Sequence, residues 1–469
     1  MKKNILIHLL IFLSILTAHA QIGEKVYNKY CAGCHGANLQ GTTSASPLIK
    51  MEWKHGFEKK EISQTIRKGV SGSTMIAWES VLKETEISAL ADFIIQSQEN
   101  TEIKADTSKI EFINSTYYRL KIEKFFTPGL TTPWGIEFVD TNRALISGKK
   151  QGLRWFVNGQ MDSKPIEGLP PAFILNETSG YLDLALDPDY KNNGWVYLSI
   201  CHTNGDFSDK KALSLTKIIR GKIVDYQWVN NETLFEVSDS LMVVNGSRWG
   251  CRLLFDKTGQ LYFTIGEMVK SMDSQDLGKP TGKVFRINSD GSIPKDNPFS
   301  GNKTALPALF SIGNRNVQGI AQHPATGDIW ATEHGPKGGD ELNILKAGNN
   351  YGWPVITYGI NYNGTSITDK THEEGMEQPV LYWTPSIAAS AIDFSTSPLF
   401  PKWKNNLLIG SLAFQELRRV VIENDHVIHQ EILLKDMGRV RDVKFGPDGA
   451  LYLLMNDQDA VFRIVPETE

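Results

Sequence analysis

The feature that most constrains the fold is a weak internal repeat in the C-terminal three-quarters of the chain. Each copy is an apolar-x-apolar strand, a turn rich in Asp, Pro, Gly or Asn, and a second apolar strand. The first strands are Ile136-Glu137-Phe138, Leu184-Ala185-Leu186, Leu253-Leu254-Phe255, Ile320-Ala321-Gln322, Ile392-Asp393-Phe394 and Val443-Lys444-Phe445. Their starts lie 48, 69, 67, 72 and 51 residues apart. Returning strands include Trp195–Leu198, Leu261–Thr264, Ile329–Thr332, Leu407–Gly410 and Leu451–Leu454. Six units, each the length of one blade, predict a six-bladed β-propeller, a mainly β fold, over residues 118–467. The alternative, a β-sandwich with uneven loops, would be oversized at this length. The 40 Gly, 20 Pro and 46 aromatic residues (11 Trp, 14 Tyr, 21 Phe) fit a turn-rich β protein.

The first 120 residues read differently. Lys2 and Lys3, the apolar run from Ile5 to Leu16, and Ala18-His19-Ala20 form the pattern of a secretory signal peptide over residues 1–20. The run is short of the ~20 residues that a membrane anchor needs. A periplasmic or secreted protein is expected, with no membrane-spanning segment after signal cleavage. Residues 21–100 carry Cys31-Ala32-Gly33-Cys34-His35, the attachment signature of c-type haem. A zinc or redox CxxC pair is the alternative, but no matching second ligand pair follows. Cys31 and Cys34 would bind the haem covalently and His35 would ligate its iron. Met75, in a Gly-rich loop before the amphipathic stretch Glu84–Gln98, is the expected sixth ligand, with Met51 as competitor. Ile22–Tyr30 reads as a helix that crosses Glu84–Gln98 closely through Gly23 and Ala91. The segment resembles a small class I, all-α cytochrome c, with Ile76 where a Pro usually follows the Met. Residues 101–117 read as a linker.

Net charge is 49 − 53 = −4, so no basic field exists for nucleic acid. Propellers gather their sites in loops around the central channel. Three arginines of such loops, Arg315, Arg439 and Arg441, suggest a ligand bearing carboxylates, with stabilisation of tight propeller loops as the alternative for any one of them. Trp383 is placed to stack on a flat ring.

With Thr132-Pro133-Trp134-Gly135, Gly282–Asn288, Ser311–Gly319, Glu333–Glu341 and Gly348–Pro354, residues 118–467 resemble the soluble glucose/sorbosone dehydrogenase family, most nearly its aldose sugar dehydrogenase branch. These are propellers that bind pyrroloquinoline quinone (PQQ) and Ca²⁺. The resemblance implies that Arg315 and Asn316 contact the quinone, Trp383 lies along its face, and Arg439 and Arg441 meet its carboxylates. It implies that the carbonyls of Gly335 and Pro336 hold the Ca²⁺ that polarises the quinone, and that Glu341 and Tyr351 belong to a second, structural Ca²⁺ site. Three positions depart from the family. Arg248 stands where the family has its catalytic His, Thr178 where it has a quinone-binding Gln, and Ala413 where it has a Lys. Arginine cannot accept a proton. His334, beside the Ca²⁺ loop, is the substitute base by motif, with loop packing as its alternative role.

Two functions follow as expectations. One is a haem c quinoprotein that oxidises a sugar or related alcohol or aldehyde and passes electrons to a periplasmic acceptor. The other is a repurposed carbohydrate- or anion-binding propeller whose cytochrome only carries electrons. Cys201 and Cys251 form either a disulfide or two separate buried thiols.

Overall fold

The computed structural model describes residues 22–35, 39, 48, 58–70, 75–99 and 111–467. The signal segment 1–20, Met51, the linker before residue 111 and the side chain of Cys34 lie outside the described residues. The chain divides into two compact units, Met1–Asp106 and Thr107–Glu469.

The N-terminal unit holds helices over 22–30, Ala32–His35, Lys59–Lys68 and Glu84–Glu99 around Val26, Tyr27, Ile62, Ile66, Ile87 and Leu90. Gly23 lets the first and last helices touch. A Cβ there would sit 2.2 Å from the Ala89 carbonyl oxygen and 2.6 Å from Phe93 Cβ. The close approach therefore falls on Ala89 and Phe93, while Ala91 faces the core. Helix Lys59–Lys68 starts in a capping box between Glu58 and Glu61 and stops at Gly69, with φ +68°. The chain then doubles back, with Val70 N–H donating to the Met75 carbonyl at 2.9 Å.

In the second unit, all six repeated strings lie on the inner strands of six antiparallel sheets. These strands are Pro133–Phe138, Tyr181–Leu186, Leu253–Phe255, Val317–Gln322, Ala389–Phe394 and Val440–Phe445, and each packs against the next around a closed ring. The second strands are sandwiched between blades. Leu407–Ser411 and Leu451–Met455 are buried at every position, which is why they read as continuous apolar runs rather than alternating ones. Hydroxyls in these strands tie blade to blade. Ser147 Oγ donates to Leu182 O at 2.6 Å and Thr332 Oγ1 to Ser390 O at 2.6 Å.

The ring closes by chain ends. Arg119–Phe126 pairs antiparallel with Ala460–Pro466, in register from Leu120↔Pro466 to Phe126↔Ala460. Glu111–Asn114 adds a fifth strand to this last sheet, so part of the segment read as linker is blade. Four residues carry too little alternation to signal a strand by themselves.

Arg252 lies near the axis, 3% exposed. Its Nη1 meets Asp183 Oδ1 at 3.2 Å and Asp442 Oδ1 at 3.0 Å. Its Nε donates to Gln318 O at 2.7 Å and its Nη2 to Arg441 O at 2.6 Å. One side chain thus joins the third blade to the second, fourth and sixth.

Candidate functional site

Arg315 and Asn316 lead into the fourth inner strand, Arg439 and Arg441 stand at the start of the sixth, and His334 follows the second strand of the fourth blade, where all three arginines act on its ring. Arg315 is fixed from its backbone outward. Its N–H donates to Glu333 Oε2 at 2.6 Å, and its Nη1 donates to the carbonyls of His334 and Gly335 at 2.8 and 2.9 Å. Its guanidinium lies 5.3 Å from the Trp353 ring centroid. The Asn316 carbonyl accepts from His334 N–H at 3.1 Å. Arg441 donates from Nη1 to Gln318 Oε1 at 2.7 Å and lies 4.0 Å over the Trp134 ring. Arg439 donates from Nη1 to Leu412 O at 3.1 Å.

A further cation stands on the same tryptophan. Lys149 is buried, with Nζ 4.8 Å from the Trp134 centroid, and it donates to the Glu177 carbonyl. Burial and then Arg441 lower its pKa to about 7. Burial together with Arg441, Arg315 and Arg439 pushes His334 down to about 3. The Nε atoms of Arg315 and Arg441 are buried with no hydrogen-bond partner. The arginines of this cluster oppose one another and His334, and two of their buried donors have no protein acceptor. A polycarboxylate fits that donor set.

Trp383 goes elsewhere. It belongs to the outermost strand Leu381–Trp383, is buried in the seam between the fourth and fifth blades, and donates from Nε1 to Gln430 at 3.1 Å. This corrects its assignment to the ring face. Its neighbour Tyr382 stacks instead on Tyr358, with ring centroids 3.8 Å apart. Thr178 is exposed and turned onto its own loop, with Oγ1 on Asn176 Oδ1 at 2.5 Å. Ala413 is exposed, its N–H on Ile387 O at 3.0 Å. Cys201 and Cys251 are two separate buried thiols, and burial pushes Cys251 up to about 12.

Arg248 is not free. Its Nε is ion-paired with Glu267 Oε1, and its Nη2 donates to Met268 O at 2.9 Å. Sequence reading passes over Glu267 and Lys149, since neither stands in a recognisable string.

Glu341 faces Glu333 across the ladder of Ile329–Glu333 and Asp340–Leu345. Burial raises Glu333 to about 7, and burial plus the Glu333 charge raises Glu341 well above the usual carboxylate range. Asn343 Nδ2 bridges them, at 3.2 Å from Glu333 and 3.0 Å from Glu341, while its Oδ1 is buried without a partner. Two carboxylates and an orphaned amide oxygen suit a hard divalent cation, although among the described residues no cluster of three or more His, Cys, Asp or Glu occurs. The Tyr351 hydroxyl is committed to Ile344 O at 2.6 Å and Lys346 N at 2.8 Å. Any part it takes in a cation site is therefore through its backbone. The Gly335 carbonyl already accepts from Arg315, which leaves Pro336 as the freer of the two expected carbonyl ligands.

In the N-terminal unit Cys31 packs against the helical core, and His35 ends the helix one turn on. The i,i+4 spacing puts both on one face, as a haem attached to the first and ligated by the second requires.

A propeller with a polycationic axial mouth, on one chain with a small helical CxxCH unit, defines an oxidoreductase built from two electron-handling modules. Residues 130–464 match the family model described as "Glucose / Sorbosone dehydrogenase", and residues 18–94 match "Cytochrome C oxidase, cbb3-type, subunit III". Over 334 residues the chain is 36% identical to the aldose sugar dehydrogenase YliI of Escherichia coli, covering 70% of this chain and 88% of that one. Quinoprotein glucose dehydrogenase B of Acinetobacter calcoaceticus is 30% identical over 261 residues, covering 50% and 52% of the two chains. The crystal structure of the E. coli soluble aldose sugar dehydrogenase in its apo form superposes with a TM-score of 0.69 at 33% identity, covering 74% of this chain and all of that one. The chain belongs to the glucose/sorbosone dehydrogenase family. It joins a propeller of that family to a cytochrome c domain, which implies haem c. Among the described residues no helix is long and apolar enough to cross a membrane.

Proposed function

We propose that this chain is an exported quinoprotein that oxidises a sugar, or a related alcohol or aldehyde, with PQQ and Ca²⁺, and sends the electrons through haem c to an acceptor outside the cytoplasm. The observation that carries this is the chamber of Arg315, Arg439, Arg441 and Lys149, with two buried guanidinium nitrogens lacking acceptors. Arg315 and Asn316 would hold the quinone edge, and Arg441, Arg439 and Lys149 its carboxylates. Bound there, PQQ supplies a two-electron acceptor. Pro336 and Gly335 would offer carbonyls to Ca²⁺, and Glu333 with Glu341 a second cation site. Cys31 and Cys34 would hold the haem, with His35 and Met75 as the axial pair on its iron. Carrying both modules on one chain raises the local concentration of the electron acceptor.

The test uses the full chain with haem attached. PQQ and Ca²⁺ are added and bound quinone is measured by absorbance. Aldoses are then added and haem reduction is followed. Haem should be reduced only when quinone, Ca²⁺ and sugar are all present. A protein that excludes PQQ sinks this reading and favours the anion-binding alternative. For the cytochrome, Met75→Ala should abolish the weak near-infrared sulfur-to-iron band and lower the potential.

A further inference from the structure

We propose that Glu267 takes the proton of the sugar hydroxyl, with Arg248 as the residue that positions it. The inference rests on the dehydrogenase reading above and assigns the base that Arg248 cannot be.

Glu267 follows strand Gln260–Ile265 and is 1% exposed. Its N–H donates to the Arg315 carbonyl at 2.8 Å, which fixes it to the string that would hold the quinone edge. Before it, Gly266 packs so tightly that a Cβ would fall 1.8 Å from Arg248 O and 2.7 Å from Asn316 Oδ1. Glu267, Arg248 and Asn316 are therefore neighbours held by backbone. Oε1 is paired with Arg248, whose Nη2 is locked on Met268 O. Oε2 is buried and makes no hydrogen bond.

Other buried carboxylates near the axis are occupied. Asp183 and Asp442 take Arg252, Glu333 takes Arg315 N–H, and Glu341 takes Asn343. Among the described residues, Glu267 Oε2 is the one buried carboxylate oxygen without a partner. His334 is neutral but surrounded by three arginines that oppose its protonation. A carboxylate paired with a single arginine keeps one oxygen to receive a proton.

In the step itself, the substrate O–H bond breaks and its proton passes to Oε2. The C–H bond on the same carbon breaks, and its electron pair leaves with the hydrogen to an ortho-quinone oxidant. The C–O bond becomes C=O, a lactone when the substrate is a cyclic aldose. The two electrons then pass singly to haem.

The experiment uses the holoprotein and three readouts: PQQ binding, the maximal rate of sugar-driven haem reduction, and the sugar concentration that half-saturates it. Glu267→Gln should bind PQQ as the wild type does and reduce haem at least ~100-fold more slowly, the usual contribution of a general base. Glu267→Asp should recover part of the rate. Arg248→Met should keep PQQ and lower the maximal rate by ~10-fold or more with little change in the half-saturating sugar concentration, because a base held out of line costs rate rather than binding. Arg248→Lys should recover part of that rate, whereas a purely structural role for Arg248 would lower PQQ binding and rate together. Glu267→Gln or Arg248→Met turning over at the wild-type rate overturns the assignment. A wild type that binds no PQQ overturns the dehydrogenase reading and this one with it.

Discussion

Arg252 and Arg441 lie side by side in the axis of the propeller, and the contrast between them separates folding from function. Arg252 meets two carboxylates and two carbonyls, so its charge is fully answered by the protein. Arg441 meets one glutamine oxygen, shares its face with Trp134, and keeps a buried Nε with no acceptor. An arginine with its partners built in stabilises the ring. An arginine left short of partners is costly until something anionic arrives. The carboxylates repeat the contrast, since Asp183 and Asp442 have Arg252 while Glu333 and Glu341 have mainly each other and Asn343.

The largest effect should come from removing the answered charge. Arg252→Met leaves Asp183 and Asp442 buried without a cation, a loss of about 3–5 kcal/mol, read by denaturant unfolding. A loss below about 1 kcal/mol would erase the contrast. Next is the carboxylate pair. Ca²⁺ at a hundred times its dissociation constant should stabilise the protein by ~2.7 kcal/mol. Because Glu333 and Glu341 are raised, protons compete with the cation. The Ca²⁺-dependent rise in melting temperature should therefore shrink as pH falls through about 7, where Glu333 takes up its proton. Glu341→Gln should abolish it, and an equal rise in that variant would remove the site.

Arg441→Met should leave the apo protein as stable as before or slightly more so, since Arg252 and Arg439 both oppose its charge. The same change should weaken PQQ by ten- to a hundredfold, the ~1.5–3 kcal/mol of a charged hydrogen bond. Equilibrium dialysis of the quinone measures it. The smallest effect concerns Lys149, lowered to about 7. It is charged below that pH and neutral above, so affinity for the anion should fall as pH rises through 7, by at most about tenfold per unit. Lys149→Met should flatten the slope, and a slope that survives would assign it to another group.

The sequence makes the blades legible because buried strands need apolar runs, and six such strings recur on the inner strands. It makes Arg315, Arg439 and Arg441 legible only as a set, because one arginine can merely stabilise a loop while several from separate strings point to a shared ligand. It hides which arginine is satisfied. Arg252 finds its partners 69 and 190 residues away, and no local pattern records that. Glu267 and Lys149 are hidden for the same reason, since each gains its meaning from a neighbouring strand or blade. Trp383 fails differently. On a strand of three residues, one step of alternation decides which way a side chain turns, and Trp383 enters the seam while Tyr382 faces out.

The pairing of Arg119–Phe126 with Ala460–Pro466 gives the molecule an order of assembly. The ring has no seal until the chain has been made past Leu451–Met455, and until then the strand at Arg119 waits as an open edge, the kind that recruits foreign strands. Loop-closure entropy grows only logarithmically with length, so joining ends this far apart adds little to the thermodynamic cost. It does make closure a late and slow event, since contacts of long sequence separation form last. The Ala460–Pro466 strand is the latch of the whole wheel, and shortening the chain there would release the N-terminal strands from the last blade and leave the ring open.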